Sequence, residues 1–393
     1  MKSETKLQEE FLQTFNQPAV IYVRAPGRVN LLGEHIDYNG GPVLPMAIDR
    51  EVTLMGAPNS SDTVKVYAQD LNQAISFNLL ELEQKNDLDG IPLPKWALYP
   101  AGVAWALQQT GMHVSGANIM FSSNVPIGSG LSSSAAVEVG FGFLWSEYGD
   151  RQIDRLELAR LCQHAENDYV GVSSGLMDQF ASACGVEGHA LFFDTRNLAW
   201  EPISLPPHTA VVIADSGVRR SLTDSAYNER RASCEQAVEI LRQYKPDLES
   251  LRDIQPPEFM AFSPYLPQVV SRRAEHVVKE IARVESARSA LERGDADAFG
   301  ALMFAGHASL RDLYEVSTPE LDILVELARG TPGCYGARLT GAGFGGCTVN
   351  LVETEYVEDF IINLQDGYNT AERETQIYLC HAAQGATAKK LDE

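Results

Sequence analysis

The sequence predicts an α+β protein of two domains. Its 393 residues are enough for two or three domains of ordinary size. Strand-like and helical segments alternate in a mixed order, which favours partly antiparallel sheets over one doubly wound parallel sheet. A proline-rich change in composition at Glu201–His208 predicts the boundary between a first domain, residues 1–205, and a second domain, residues 206–393.

The first domain begins with strands and continues with helices. Short runs rich in β-branched and aromatic residues predict strands at Ala19–Ala25, Glu51–Met55, Thr63–Ala68 and Gly116–Ser122. Longer apolar or amphipathic runs predict helices at Ala97–Gln109, Ser133–Tyr148 and Asp154–Tyr169. The last of these begins with the D-x-x-E pattern of a capping box.

The second domain has helical patterns followed by two strands. Helices are predicted at Ser225–Tyr244, Arg272–Arg293 and Pro319–Arg329, and strands at Ala337–Thr340 and Cys347–Val352. The proline-rich segment Gln255–Gln268 is predicted to be a surface loop. The polar tail Ala386–Glu393 is expected to fray.

Charge and composition exclude several classes of function. Thirty-one basic and 53 acidic residues give a net charge of −22, which repels nucleic-acid phosphates and anionic lipid, so we expect neither partner. The first residues lack the apolar segment of a signal peptide, and no apolar run reaches the length of a membrane span. Six scattered cysteines indicate unpaired thiols in a reducing cytoplasm.

The third of three glycine-rich segments, Gly341–Gly346, matches the G-x-G-x-x-G pattern of dinucleotide sites. That pattern requires a helix after the loop, whereas a strand-like run follows here. We therefore predict a turn between two strands, or a close approach of backbone to a ligand, and not a dinucleotide site.

The second glycine-rich segment, Val125–Ala136, lies between a predicted strand and a predicted helix. Its glycines and the helix N-terminus could together hold a polyphosphate. No G-K-[ST] follows, so it is not a Walker A loop, but a serine at the helix start could bind Mg²⁺. The alternative is a serine-rich helix cap after a glycine turn.

The first glycine-rich segment, Arg24–Gly41, concentrates polar side chains between glycines. Glu34, His35, Asp37 and Asn39 offer closely spaced acceptors and donors that suit the vicinal hydroxyls of a neutral polyol. Their carboxylates would repel an anionic ligand. A metal site and a solvated turn without function remain alternatives.

Two further carboxylates are candidates for chemistry. Glu166 falls at the margin of the apolar face of the helix predicted at Asp154–Tyr169, from which it could turn into a site. Asp178 lies among apolar residues just after the turn Gly171–Gly175, where a carboxylate needs a cation partner or a proton to accept. Helix capping is the alternative role for Asp178.

Three segments in this order resemble the motifs of the GHMP small-molecule kinases. They read PGRVNLLGEHIDYNGG, VPIGSGLSSSAAVEV and LTGAGFGGC, and the resemblance extends from about Val23 to Gly385. It implies the two-domain GHMP kinase fold, with an N-terminal domain like the second domain of ribosomal protein S5 and a ferredoxin-like C-terminal domain. The active site would lie between the two domains.

The resemblance also assigns roles to residues. Glu34, His35, Asp37 and Tyr227 match sugar ligands, and Asp178 matches a catalytic base with Arg28 beside it. Mg²⁺ would be held by Ser134 and Glu166. The loop for the ATP phosphates would comprise Gly128, Ser129, Gly130, Leu131, Ser132, Ser133 and Ser134.

Within the superfamily, Arg28–Gly41 and Tyr227–Arg231 resemble the kinases that phosphorylate galactose. This implies phosphorylation of α-D-galactose at its C1 hydroxyl, with ATP and Mg²⁺, by a monomer or a dimer. Kinases of N-acetylgalactosamine or arabinose are alternatives, because Ile36 also occurs in the former. A catalytically silent galactose sensor is the alternative from another class. Mevalonate and homoserine kinases fit less well, because their anionic substrates would meet Glu34 and Asp37.

Overall fold

The computed structural model describes residues 4–126, 128–149, 153–219, 223–371 and 373–391, with the backbone alone at 223–225. Within these ranges the helices α1–α11 are Glu4–Phe15, Lys95–Gln109, Ser133–Tyr148, Arg155–His164, Met177–Cys184, Thr223–Leu241, Pro256–Phe262, Gln268–Glu292, Ala296–Ser309, Pro319–Gly330 and Val357–Tyr368. The strands β1–β13 are Ile21–Asn30, Pro42–Val43, Pro45–Pro58, Thr63–Ala68, Gln73–Asn78, Ala117–Ser123, His189–Asp194, Trp200–Ser204, Thr209–Asp215, Cys334–Leu339, Cys347–Glu353, Gln376–Cys380 and Thr387–Lys390.

The strands of the described residues form three sheets. The first has the order β13-β1-β3-β6-β4-β5 and is antiparallel except for the β4–β6 pair. The second has the order β10-β11-β9-β12 and is antiparallel throughout. A small third sheet, β2-β7-β8, lies beside helix α8. The predicted α+β class with partly antiparallel sheets is confirmed.

The described residues form three hydrophobic cores, and the largest of them contains helix α3. Helix α3 packs against β1 and β3 and is apolar on almost every side, which is typical of a helix inside a core. The same core continues through α8 and α9 into the second half of the chain. A separate core lies between the second sheet and helices α10 and α11, where Phe360 and Tyr368 are fully buried.

Two predictions about the second half are wrong. The segment Gln255–Gln268 is not a loop, because Pro256–Phe262 forms helix α7; prolines fit the first turn of a helix, where their missing N–H groups need no partner. The tail does not fray over Thr387–Lys390, because this strand pairs with the edge of β1, with Ile21 opposite Lys390. The last strand therefore joins the first sheet. The boundary near residue 205 stays a prediction.

The glycine segment Gly341–Gly346 joins β10 to β11, so the prediction of a turn between two strands is confirmed. The six cysteines are free, as predicted, and all but Cys334 are buried. Within the described ranges, none of the helices combines the length and apolar character that a bilayer crossing needs.

Candidate active site

Arg28 enters the site from a distortion in β1. The pairing register between β1 and β3 shifts between Pro26 and Arg28, and such shifts redirect side chains. The Arg28 side chain is buried, and its guanidinium donates from Nε to Asp178 Oδ1 at 2.8 Å and from Nη1 to the Gly130 carbonyl at 2.7 Å. Arg28 thus joins the first glycine-rich segment to the second one and to Asp178.

The phosphate loop, Gly128–Ser134, wraps around the N-terminus of α3. Gly128, Gly130 and Ser132 have positive φ angles of 72°, 85° and 58°, so left-handed residues alternate with others along the loop. Alternation of this kind turns successive N–H groups toward one side and makes an anion-binding concavity, which the N-terminus of α3 reinforces. Ser129 is buried and does not line the cleft; its hydroxyl donates to the Pro126 carbonyl at 2.7 Å.

Asp178 lies in the first turn of α5 and faces both polar loops. Its Oδ1 accepts from Arg28, whose Nη2 is 2.6 Å away, and its Oδ2 accepts from the Ser132 hydroxyl at 2.5 Å. The Asp178 side chain is 28% exposed, so Oδ2 keeps a lone pair that can face a substrate. This arrangement suits a base whose position is fixed by two donors.

Glu166 lies on a π-helical turn, Ala165–Val170, that continues α4. Such wide turns occur often at functional sites. Its Oε2 accepts from the Ser174 hydroxyl and, at 2.8 Å, from Gln179 Nε2, and Ser134 lies close enough to lower its pKa. The structure therefore brings together the two residues that the resemblance assigned to Mg²⁺.

Glu138 is a residue that the sequence analysis missed. It is fully buried on α3, its Oε2 accepts from Gln179 Nε2 at 2.8 Å, and its Oε1 has no partner among the described residues. Burial, followed by the charge of Glu166, raises the pKa of Glu138 well above its usual value. A lone carboxylate within the apolar run of α3 was the available signal.

The donor set around Glu166 fits a magnesium ion. Carboxylates crowd together there, and burial raises the pKa of Glu166. No group of three or more His, Cys, Asp or Glu side chains in the described part of the chain could hold a metal by itself. Mg²⁺ is usually bound by one or two protein oxygens together with phosphate oxygens and water, so Ser134 and Glu166 suffice.

Glu34 is buried in the sugar loop, Gly33–Gly41. Its Oε2 accepts from Asn30 Nδ2 at 2.8 Å and pairs with Arg338 on β10, while its Oε1 accepts from the Gly341 N–H at 2.9 Å. Burial raises its pKa to about 7, although Arg338 acts in the opposite direction. The Thr340 hydroxyl also lies 3.3 Å from Oε1, so protein donors surround this carboxylate where it borders the cleft.

Asp37 faces Asp178 across the cleft. Burial, followed by the charge of Asp178, raises the pKa of Asp37 to about 6. Gly175 lies so close that a β-carbon there would overlap Asp37 Oδ2. The glycine turn before α5 therefore has a steric purpose, which is to leave room for this carboxylate.

Aromatic rings border the sugar loop. The ring centroids of His35 and Tyr227 are 5.5 Å apart, as are those of Tyr38 and Tyr227. Burial and the charges of Asp37 and Asp178 raise the pKa of Tyr227 well above its usual value, so its hydroxyl stays protonated and can donate. Tyr227 thus closes the cleft from α6.

One cleft of about 360 Å³ unites these groups, and its size is that of a small-molecule site. With Ser129 excepted, the residues that the resemblance assigned to ligands all line it. Lining residues that the sequence analysis did not single out include Lys95, Tyr99, Ser173, Ser174 and Asn228. They come from α2, α6 and the turn before α5, and no local pattern revealed the approach of α2 to the cleft.

The fold and the cleft define a GHMP kinase, a phosphotransferase. Residues 99–186 match the N-terminal domain of GHMP kinases, and residues 287–366 match their C-terminal domain. Residues 9–58 match the galactokinase galactose-binding signature. A mevalonate kinase, 22% identical, shares the fold with a TM-score of 0.63 and covers 92% of this chain and 98% of its own.

Proteins that match this chain over almost its whole length identify the family. The galactokinase of Roseiflexus sp. (strain RS-1) is 45% identical over 381 residues, which are 97% of this chain and 96% of that protein. The galactokinase of Chloroflexus aurantiacus is 41% identical, over 98% of this chain and 97% of its own. The structure of Lactococcus lactis galactokinase complexed with galactose is 35% identical and superposes with a TM-score of 0.92 over 98% of this chain and 99% of its own. The chain belongs to the galactokinase family.

Proposed function

We propose that the protein transfers the γ-phosphoryl group of ATP to the C1 hydroxyl of α-D-galactose, giving ADP and galactose 1-phosphate. The observation that carries this proposal is the position of Asp178. Arg28 and the Ser132 hydroxyl hold its carboxylate where the phosphate loop meets the sugar loop. A base at this junction can act on a hydroxyl that faces a bound phosphate.

The reaction requires an in-line approach of the hydroxyl oxygen to phosphorus. Asp178 would orient the C1 hydroxyl and accept its proton, while the O1–P bond forms and the bond from phosphorus to the ADP oxygen breaks. Arg28 donates to the Gly130 carbonyl of the phosphate loop and would stabilise negative charge on the phosphoryl oxygens, together with the N–H groups of that loop.

Ser134 and Glu166 would hold Mg²⁺, which supplies neutralisation of phosphate charge when bound. Ser174 and Gln179 fix the Glu166 carboxylate by donating to its Oε2. The same two donors lower the pKa of Glu166, against the burial that raises it, and a bound cation would favour the ionised carboxylate further.

Substrate identity would depend on the sugar loop. Glu34, Asp37 and Tyr227 present two carboxylates and a protonated phenol to the cleft, which suits the hydroxyls of a neutral sugar. We extend the proposal to a monomer in the cytoplasm that binds small molecules and neither nucleic acid nor membrane. The free cysteines and the charge of −22 support this extension.

A coupled assay of ADP release across five acceptors tests the substrate. The acceptors are galactose, N-acetylgalactosamine, arabinose, glucose and mevalonate, and we expect galactose to give the highest kcat/KM. Glucose differs from galactose in the orientation of one hydroxyl. If this misplaces two hydrogen bonds to charged groups, the binding free energy lost gives roughly 10²–10⁴-fold discrimination between the two sugars. Equal rates with glucose and galactose would refute the proposal that the sugar loop distinguishes the two sugars by their hydroxyls.

A further inference from the structure

Four side chains, three of them buried and Tyr38 half-buried, form a chain of hydrogen bonds behind the sugar loop. His35 Nδ1 lies 2.9 Å from the Tyr38 hydroxyl, which lies 2.8 Å from the Tyr314 hydroxyl, and this lies 3.4 Å from Cys234 Sγ. At the other end, His35 Nε2 lies 3.1 Å from the carbonyl oxygen of Ala342. These hydrogen bonds thus connect α6 and the turn after α9 with the sugar loop and with the third glycine loop, Gly341–Gly346.

The direction of each hydrogen bond follows from the carbonyl at one end. A carbonyl oxygen only accepts, so His35 Nε2 carries a proton and donates to Ala342. In the tautomer that carries this proton on Nε2, Nδ1 accepts from the Tyr38 hydroxyl. The Tyr38 oxygen then accepts from Tyr314, and the Tyr314 oxygen accepts from the Cys234 thiol.

This assignment uses the whole hydrogen-bonding capacity of the His35 ring. A neutral imidazole has one donor and one acceptor, and both already have protein partners. The His35 backbone also has a φ of 64°, a left-handed conformation that is unfavourable for a residue other than glycine. The contacts of the ring offset that cost and fix the loop on which Glu34 and Asp37 lie.

We propose that His35 is a positioning residue whose imidazole, oriented by Tyr38 and Tyr314, fastens the sugar loop to the third glycine loop. The inference rests on the proposed function, because it concerns how galactose is held. Tyr314 lies outside the cleft lining of the described residues, so its effect on galactose must pass through Tyr38 and His35.

Tyr314→Phe tests the series of hydrogen bonds at a residue that lies away from the cleft. The variant keeps the ring and removes the hydroxyl that bonds Tyr38, so we expect the KM for galactose to rise about 5- to 10-fold while the KM for ATP stays constant. Tyr368→Phe is the matched control, since Tyr368 is equally buried and its hydroxyl donates to the Ser216 carbonyl at 2.7 Å. Equal galactose KM values in the two variants would overturn the proposal.

Tyr38→Phe and the double variant Tyr38→Phe/Tyr314→Phe complete a cycle. Both single changes interrupt one chain, so the double variant should raise the galactose KM little more than Tyr38→Phe alone. Effects that multiply would mean that the two hydroxyls act independently, which contradicts the proposal.

Substitutions at His35 separate the ring from the backbone. Asparagine suits the left-handed conformation but is too short for its amide to replace the Nε2 donor, whereas glutamine reaches further. We expect His35→Gln to retain more galactose affinity than His35→Asn, measured by calorimetry. If the asparagine variant bound galactose as tightly as the parent, the backbone conformation alone would explain the residue.

A spectroscopic readout keeps this proposal distinct from the proposed function. In ¹⁵N-histidine-labelled protein, we expect His35 to show the Nε2–H tautomer, whether or not galactose is the substrate. Inactivity toward galactose with this tautomer present would refute the proposed function alone. An Nδ1–H tautomer would refute the positioning role, even in an enzyme that phosphorylates galactose.

Discussion

Gly175 and Asp37 illustrate how closely the site is packed at the scale of single residues. A β-carbon at position 175 would overlap the Asp37 carboxylate, so this residue must be glycine for a steric reason. The sequence analysis identified the glycines before Asp178 as a flexible turn. It could not identify the contact, because the two residues lie 138 positions apart in the chain.

Gly175→Ala should displace Asp37 and weaken galactose binding. We expect the KM for galactose to rise about 10-fold, equivalent to one hydrogen bond to a charged group, with little change for ATP. Gly330→Ala is the control, because a β-carbon there meets open space. Steady-state kinetics with each substrate varied in turn provide the measurement, and an unchanged galactose KM would show that the loop absorbs the methyl group.

Ser134→Ala and Glu166→Ala should each raise the Mg²⁺ concentration that gives half-maximal activity. Both residues are proposed to hold the ion or its waters. Ser129→Ala is a matched serine control, because its hydroxyl bonds the Pro126 carbonyl. If the Mg²⁺ dependence of both variants matches that of the parent, the proposed metal positions are wrong.

At the scale of elements, the sequence analysis predicted strands β1, β3, β4, β6, β10 and β11 and helices α2, α3, α4, α6, α8 and α10, and it missed the other strands and helices of the described residues. Strand β1 extends to Asn30, beyond the predicted Ala25, because Pro26 and Gly27 sit at an irregularity in the pairing and do not end the strand. The last strand was missed because β-pairing depends on an exposed partner edge and less on local composition. The π-helical turn at Glu166 likewise depends on buried contacts, among them Ser174 and Gln179.

Arg252 links the end of β7 to Gly40 in the sugar loop. Its guanidinium donates to Asp194 Oδ1 and Oδ2 at 2.5 Å each, at the end of β7, and to the Gly40 carbonyl at 2.6 Å. Burial opposes ionisation of Asp194, but hydrogen bonds from Arg252 and from the N–H groups of Asn197 and Arg196 outweigh it and lower the pKa. The ionised pair should therefore stabilise the folded state at neutral pH.

Arg252→Gln should reduce the free energy of unfolding by about 1.5–3 kcal/mol at pH 7. Because the folded pKa of Asp194 is lowered, its contribution is present above the unfolded pKa of about 3.9 and is lost as the pH falls through the folded value. The difference between variant and parent should then shrink below about pH 3. Urea unfolding at pH 7 and below about pH 3 measures this difference in the free energy of unfolding. An equal difference at the two pH values would contradict the ionic role of the Arg252–Asp194 pair.

At the scale of the whole molecule, three glycine-rich segments from distant parts of the chain meet in one cleft. Their residue types predicted a polyphosphate cradle and a polyol site, but spacing alone could not predict their convergence. Glu34 and Gly341 are 307 positions apart and share a hydrogen bond. The resemblance to GHMP kinases implied their fold, and the comparisons confirm that fold.

The sequence did not predict the group of buried charges behind the cleft. Arg338 on β10 lies between Glu34 and Glu280, and Glu280 Oε1 accepts from the Gly33 N–H at 3.0 Å. Burial lowers the pKa of the neighbouring His276 to about 4, so this imidazole is neutral at pH 7. These charges are tolerated inside the protein because they are paired with one another, and the pair of Arg338 with Glu34 joins the two halves of the chain.

The central claim is that Asp178 is the base in phosphoryl transfer to galactose, and Asp178→Asn tests it most directly. The asparagine keeps the shape but cannot accept the proton, so turnover should fall by about 10²-fold or more while calorimetry still detects galactose binding. Asp312→Asn, at an exposed carboxylate paired with Arg311, is the control and should keep normal turnover. Near-normal turnover in Asp178→Asn would contradict the account and leave Asp178 as a structural carboxylate at the start of α5.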